Sequence, residues 1–207
     1  MIVRFDHITY VDERCKKIYL HKWEDNGWEV QFSEEKLKNI ETKKKLMKYP
    51  EDDHDLYFMK KQGNINTELI FYERVNLPTQ ISVQGRKVFA GCRSLVEIEK
   101  VIIKLGGKGQ RTGDTFIANL KGIFDKEDYL IMFEERPCTE PCLDDSGYGC
   151  VTLLVDSIEK ISKKFDEEEF FCSSEELEVN SQFLNIAFVK PKCAELIFEL
   201  ISVRKRK

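Results

Sequence analysis

Apolar and polar positions along the chain follow one pattern three times, and the last occurrence is the clearest. Cys150-Val151-Thr152-Leu153-Leu154-Val155-Asp156 is a run of apolar and β-branched residues that predicts a buried strand. Asp156 with Glu159 makes a capping-box-like start, and Ile158, Ile161 and Phe165 set an apolar face on the helix that follows. A polar strand or loop comes next near Leu177-Glu178-Val179. Two strands close the copy, Phe183 to Val189 and Ala194 to Ile201, separated by the turn Lys190-Pro191-Lys192.

The middle copy runs in the same order. Lys87 to Cys92 reads as a strand, Ser94-Leu95-Val96-Glu97 as a fuller capping box, and Leu95, Ile98, Val101, Ile102 and Leu105 as a helical stripe stopped by Gly106-Gly107. Strands Phe116 to Leu120 and Tyr129 to Glu134 complete it. The first copy opens with Ile2 to Val11 and a less regular helix around Lys16 to Trp23. Strands follow at Trp28 to Phe32, Asp55 to Lys60 and Thr67 to Glu73, with an extra charged helix predicted over Glu34 to Lys48. Turn-rich links, Asn76 to Gln84 and Arg136 to Gly147, separate the copies. The predicted fold class is therefore α+β, with repeated βαβββ modules over residues 1–75, 85–136 and 147–203 forming curved mixed sheets with helices outside.

The last strands carry the strongest sign of repetition: Thr67-Glu68-Leu69-Ile70-Phe71-Tyr72 reads almost as Ala194-Glu195-Leu196-Ile197-Phe198-Glu199 does. Together with the first strand Phe5-Asp6-His7-Ile8-Thr9-Tyr10-Val11-Asp12, this resembles the modules of the vicinal oxygen chelate superfamily of glyoxalases, bleomycin-resistance proteins and dioxygenases. The resemblance implies that two modules, the first with the second or the first with the third, pair into a curved sheet around a small-molecule cavity. In metal-binding members of the family, first strands supply a histidine or similar ligand and final strands a glutamate. Carried over, His7, Glu68 and Glu195 become the metal ligands, with Glu68 and Glu195 the catalytic carboxylates. Alignment on Val11-Asp12 and Val155-Asp156 sets His7 against Val151, which cannot coordinate, and in the middle copy Tyr129 replaces a carboxylate. One imidazole and two carboxylates suit a single divalent Fe, Mn, Ni or Zn ion with open positions for a chelating substrate. A site without any metal is the alternative.

Composition narrows the partners. Thirty-three basic and thirty-seven acidic side chains, a net charge of −4, predict neither nucleic acid nor membrane as a partner. The basic cluster Arg204-Lys205-Arg206-Lys207 is expected to be a solvated tail. Seven cysteines and a beginning without signal-peptide character predict reduced thiols in a cytoplasmic protein. Cys138, Cys142 and Cys150 lack the spacing of a zinc site, Gly106-Gly107-Lys108-Gly109 reads as a helix cap, and His54 beside Asp52-Asp53 reads as a solvated charged turn. The implied functions are a metal-dependent lyase, isomerase or dioxygenase acting on a small oxygenated molecule, a metal-free protein that sequesters a drug or metabolite, or a homodimeric assembly protein.

Overall fold

A computed structural model describes residues 1–203, with residues 173–176 described by backbone alone; the basic tail lies outside the described residues. The protein is α+β, dominated by strands. The first third contains β1 (Ile2–Glu13), a 3-10 turn (Arg14–Tyr19), α1 (His21–Asp25), β2 (Glu29–Lys38), α2 (Glu41–Lys44), β3 (Asp53–Lys60) and β4 (Thr67–Tyr72). A short β5 (Ser82–Gln84) precedes β6 (Lys87–Cys92), α3 (Leu95–Leu105), β7 (Lys108–Thr112), β8 (Thr115–Asn119) and β9 (Leu130–Glu135). The last third contains β10 (Gly147–Val155), α4 (Ile158–Ser162), β11 (Phe170–Val179), β12 (Gln182–Val189) and β13 (Ile197–Val203).

Strand order shows how these pieces assemble. One eight-stranded sheet runs β11-β12-β13-β10-β1-β4-β3-β2, and a five-stranded sheet runs β5-β6-β9-β8-β7. In each third the first strand lies parallel to the last, and the large sheet is made by antiparallel pairing of β1 with β10. Across that seam His7 faces Thr152 and Thr9 faces Cys150, so the first and last thirds are related by a pseudo-twofold.

Alternation along the strands sorts residues onto two faces. Phe5, Ile8, Val151, Leu153, Phe198 and Leu200 turn outward into the largest core, which they share with α3, α4 and the middle sheet. Val11, Ile70, Tyr72, Ile186 and Phe188 turn to the opposite, concave side. The middle sheet is therefore joined to the large one through a common hydrophobic core. A loop reinforces the join where β4 leaves the start of β1 uncovered: Phe124 N–H donates to the Val3 carbonyl at 3.1 Å, and Asp125 accepts from Phe5 N–H at 2.8 Å.

Local signals explain α3 well. Ser94 accepts from the Glu97 N–H at 3.3 Å, and Gly106 ends the helix at φ 98°, a left-handed conformation that costs glycine little. In α4 the cap is Ser157, which accepts from Lys160 N–H; Asp156 instead pairs with the chain's N-terminus.

Three segments depart from expectation. The charged helix predicted over 34–48 is the second half of β2 followed by the single turn α2, because Val30, Phe32 and Leu37 face inward on an edge strand. A bulge between Glu34 and Leu37, with Lys36 at φ 53°, disguises the strand period. Lys108-Gly109, read as the end of the glycine-rich cap that Gly106 begins, instead opens the exposed edge strand β7. The final strand starts at Ile197, three residues later than predicted. Ala194 and Glu195 turn instead toward the middle sheet, where Ala194 bridges Cys92 and Glu195 N–H donates to the Gly91 carbonyl. Among the described residues no disulfide joins the cysteines, and no helix is long and apolar enough to cross a membrane.

Candidate metal centre and cavity

The concave side of the large sheet encloses a cavity of about 270 Å³. Its floor is the β1–β10 seam with β4 and β13. Its walls come from Phe32 and Leu37 of β2, Leu56 and Phe58 of β3, and Leu184, Ile186 and Phe188 of β12. The excursion between β2 and β3 closes one end by reaching across to the last third, where the Thr42 hydroxyl donates to the Cys172 carbonyl at 3.4 Å. Asp144, itself fully buried, holds the same excursion by accepting from the Lys48 and Tyr49 N–H groups at 2.7 Å each.

On the floor, His7, Glu68 and Glu199 bring one ligand atom each to within 4.8 Å of one another. His7 is 6% exposed. Its Nδ1 lies 2.9 Å from Asp6 Oδ2, while Nε2 lies 3.5 Å from Glu68 and 4.0 Å from Glu199. Neither of the longer approaches is aligned as a hydrogen bond, so among the described residues the buried Nε2 has an ion-pair neighbour in Glu68 but no hydrogen-bond partner. Two threonines hold the carboxylates symmetrically: Thr9 donates to Glu68 at 3.2 Å and Thr152 to Glu199 at 2.7 Å.

The charges of this group are tightly linked. Burial alone would strip His7 of its proton, but the Glu68 carboxylate and the bond to Asp6 outweigh it and raise the imidazole to about 10. Burial also works against the Asp6 charge, yet His7 and Arg4 lower that carboxyl to about 2. Glu68 is lowered against its own burial by His7, whereas burial and the Glu68 charge push Glu199 up. One imidazolium satisfies one carboxylate and leaves the other strained.

The structure thus brings His7 and Glu68 together and places Glu195, expected as their companion, elsewhere. Glu195 is buried beside the middle sheet, where it accepts from Gly91 N–H at 2.6 Å and from Arg136 Nη2 at 2.5 Å. Glu195 thus does not line the cavity or join His7 and Glu68, the two residues with which it was expected to act as ligand and catalytic carboxylate; Glu199 stands beside them instead. The repeated Glu-Leu-Ile-Phe string misleads because its two occurrences sit out of structural register by one turn's worth of chain. The ladder gives the true correspondence: Thr9 pairs with Glu68 as Thr152 pairs with Glu199. By the same ladder the counterpart of His7 is Cys150, not Val151. Burial, together with Glu199 and Glu68, pushes the Cys150 thiol well up. A usable signal for Glu199 existed in the sequence, a lone carboxylate in the apolar run Ile197-Phe198-Glu199-Leu200-Ile201. His54, expected in a solvated turn, is 1% exposed and lines the cavity.

The donor set fits a divalent cation: with the Nε2 proton displaced, an imidazole nitrogen and two carboxylates are ordinary ligands for Fe, Mn, Ni or Zn, and they converge within 4.8 Å. Asp6 supplies the partner that orients a ligating histidine.

Two modules joined edge to edge by their first strands around a concave cavity is the arrangement that the resemblance in the sequence implies. No protein-family model matches the chain, and no curated protein matches it. Among solved structures, the chain is similar to glyoxalase I from Zea mays, at 12% identity and a TM-score of 0.40, covering 98% of this chain and 68% of that one. It is similar to a putative dioxygenase from Bacillus subtilis subsp. subtilis str. 168, at 9% identity and a TM-score of 0.42, covering 98% and 63%. A methylmalonyl-CoA epimerase matches at 14% identity and a TM-score of 0.43, covering 99% and 98%. This chain therefore spans about two thirds of the length of the first two and nearly all of the third. The fold assignment rests on this chain's own strand order.

Proposed function

We propose that the protein binds a small oxygenated molecule in the cavity between its first and last modules and acts on it as a metal-dependent lyase, isomerase or dioxygenase. His7, Glu68 and Glu199 hold one divalent ion. The observation that carries this reading is the convergence of the buried His7 Nε2, which has no aligned hydrogen bond among the described residues, with the Glu68 and Glu199 carboxylates, one ligand atom of each lying within 4.8 Å of the others. One imidazolium offsets one carboxylate only, and a divalent cation in place of its Nε2 proton would offset both. A divalent ion there would supply Lewis-acid polarisation of the ligand's oxygens.

The remaining chemistry belongs to the chain. Asp6 accepts the Nδ1 hydrogen of His7 and so keeps the Nε2 lone pair turned toward the carboxylates. Thr9 and Thr152 fix one oxygen of Glu68 and of Glu199, leaving the second oxygen of either to take a proton from a ligand carbon. The apolar walls keep water from competing for that proton.

The test is metal content after native purification without chelators or a metal-affinity tag. Near-stoichiometric Fe, Mn, Ni or Zn is expected, lost in His7→Ala and Glu199→Gln and retained in Glu195→Gln. Protein that is metal-free and stays so when titrated with Mn2+ or Zn2+ overturns the reading. That result would favour a metal-free sequestering protein. One observation supports this second reading: Cys150, at the place related to His7, is packed in an apolar cluster instead of reaching the floor group.

A further inference from the structure

The strands around the cavity are joined by backbone ladders from β11 through to β2, and the wall has one seam that no ladder closes. β11 and β2 are the two ends of the large sheet, and they curl round to meet without pairing among the described residues. Phe32 and Leu37 line the cavity from one side of the seam, and Leu177, Val179 and Leu184 from the other. Two hydrogen bonds cross it. At the base the Thr42 hydroxyl donates to the Cys172 carbonyl, and at the tip the Asn180 N–H donates to Glu34 Oε1.

The two ends of the seam are held differently. The base belongs to the excursion that Asp144 pins through the Lys48 and Tyr49 N–H groups, and there the Asn39 N–H also donates to the Asp52 carbonyl at 2.8 Å. The tip is the turn between β11 and β12, where Asn180 and Ser181 are exposed at φ 47° and 60°. Left-handed backbone at both central positions makes a tight two-residue turn whose twist matches its strands, so the end of the hairpin moves as a unit. The β11–β12 ladder is interrupted between Cys172 and Glu176, and β2 has its own bulge between Glu34 and Leu37. Strands bend at such places. The hairpin end can therefore tilt about the interruption while Leu177 stays paired with Leu184 and Val179 with Gln182. Opening in this way breaks no ladder and costs the Glu34 bond and the apolar contact across the seam. Water can satisfy an exposed turn N–H as well as a carboxylate can, so the effect of the Glu34 bond is to join the two edges.

Resting on the cavity being the ligand site, we propose that this seam is its entrance, that the end of the β11–β12 hairpin is the gate, and that Glu34 is the latch. Ligand enters when the Asn180 N–H leaves Glu34 and the hairpin tilts, and the apolar walls close over it when the bond re-forms.

The experiment measures access to the cavity in the full chain, without metal, by native alkylation with iodoacetamide read peptide by peptide in the mass spectrometer. Ile186→Cys sets a thiol in the cavity wall at a position 4% exposed, and Cys92, 0% exposed in the core shared by the two sheets, is the internal control. Adding Glu34→Ala is expected to speed alkylation at position 186 about five-fold, the effect of losing one hydrogen bond from the closed state. Glu34→Gln keeps an acceptor and should change the rate less than two-fold. Cys92 should keep its rate throughout. Leu184→Cys, two residues along the same strand, repeats the measurement at a second wall position, so the result does not depend on how well one variant folds. An unchanged rate at both positions in Glu34→Ala, or equal acceleration at Cys92, overturns the gate. A chain that binds no Mn2+ would overturn the metal centre alone, since the thiol rates are read without metal.

Discussion

His7 is the residue on which the chemistry turns. With its pKa raised to about 10 in the metal-free protein, it carries a proton throughout the neutral range. A metal must displace that proton, so affinity for Mn2+ or Zn2+ is expected to rise about ten-fold per pH unit between pH 6 and 8, with proton release visible in buffers of different ionisation enthalpy. A pH-independent affinity would contradict the assignment of Nε2 as ligand. The same shift has a consequence for folding. A histidine raised from 6.5 contributes stability that is complete below 6.5 and lost as pH climbs through 10, while Asp6, lowered from 3.8, contributes above 3.8 and loses its share as pH falls through 2. The metal-free protein should therefore melt higher at pH 6 than at pH 10.5. Tyr72 offers a different residue-scale check. Its hydroxyl is fully buried with no hydrogen-bond partner among the described residues, and a hydroxyl in that state costs about 1 to 3 kcal/mol. Tyr72→Phe should raise stability by about 1 kcal/mol in urea unfolding, and a loss of similar size would reveal a partner for the hydroxyl.

At the scale of the element, legibility followed the strength of local rules. The strand–helix pair of β6 and α3 stood out because period, cap and stop agree within twenty residues: apolar β6, Ser94 with Glu97, the stripe from Leu95 to Leu105, and Gly106. Ser94→Ala is expected to cost about 1 kcal/mol by freeing the Glu97 N–H, measured as a shift in the chemical-unfolding midpoint. No effect would mean that α3 is held by the common core alone. β2 was misread for the opposite reason. Glu34-Glu35-Lys36-Leu37-Lys38 has the composition of a helix, and the bulge at Lys36 hides its alternation, so only pairing with β3 makes it a strand. β13 was read three residues early because Ala194-Glu195-Leu196 is as apolar in pattern as the strand itself. Contacts with the middle sheet, remote in sequence, decide that this piece is a turn.

Across the whole molecule, the cavity depends on joints between distant segments. Asp144, in the link before β10, accepts two backbone hydrogen bonds from Lys48 and Tyr49 and offers its carbonyl to Asn76 N–H at 2.8 Å. It ties the excursion carrying Lys43 to the start of the last module. Bonds to a buried carboxylate are worth about 1.5 to 3 kcal/mol each. Asp144→Ala should therefore cost about 3 kcal/mol and speed amide hydrogen exchange at residues 40–49 ahead of the rest of the chain. Uniform exchange across the chain would show that the excursion does not open separately.

By itself, the sequence was enough to determine the kind of module and its threefold recurrence, because hydrophobic period and helix caps are written in neighbouring residues. It also marked His7 and Glu68; Glu68 lies in a strand paired without irregularity, whereas β1 is bulged on either side of His7. Glu199, the burial of His54 and the pairing of β1 with β10 were decided by the tertiary structure. Each depends on ladder register between segments distant in sequence, 47 residues for Thr152 with Glu199 and more than a hundred for β1 with β10, or on an edge strand folding over a cavity. A one-letter string repeated at two sites carries no information about which copy of it enters a strand; only the backbone pairing across the sheet supplies that.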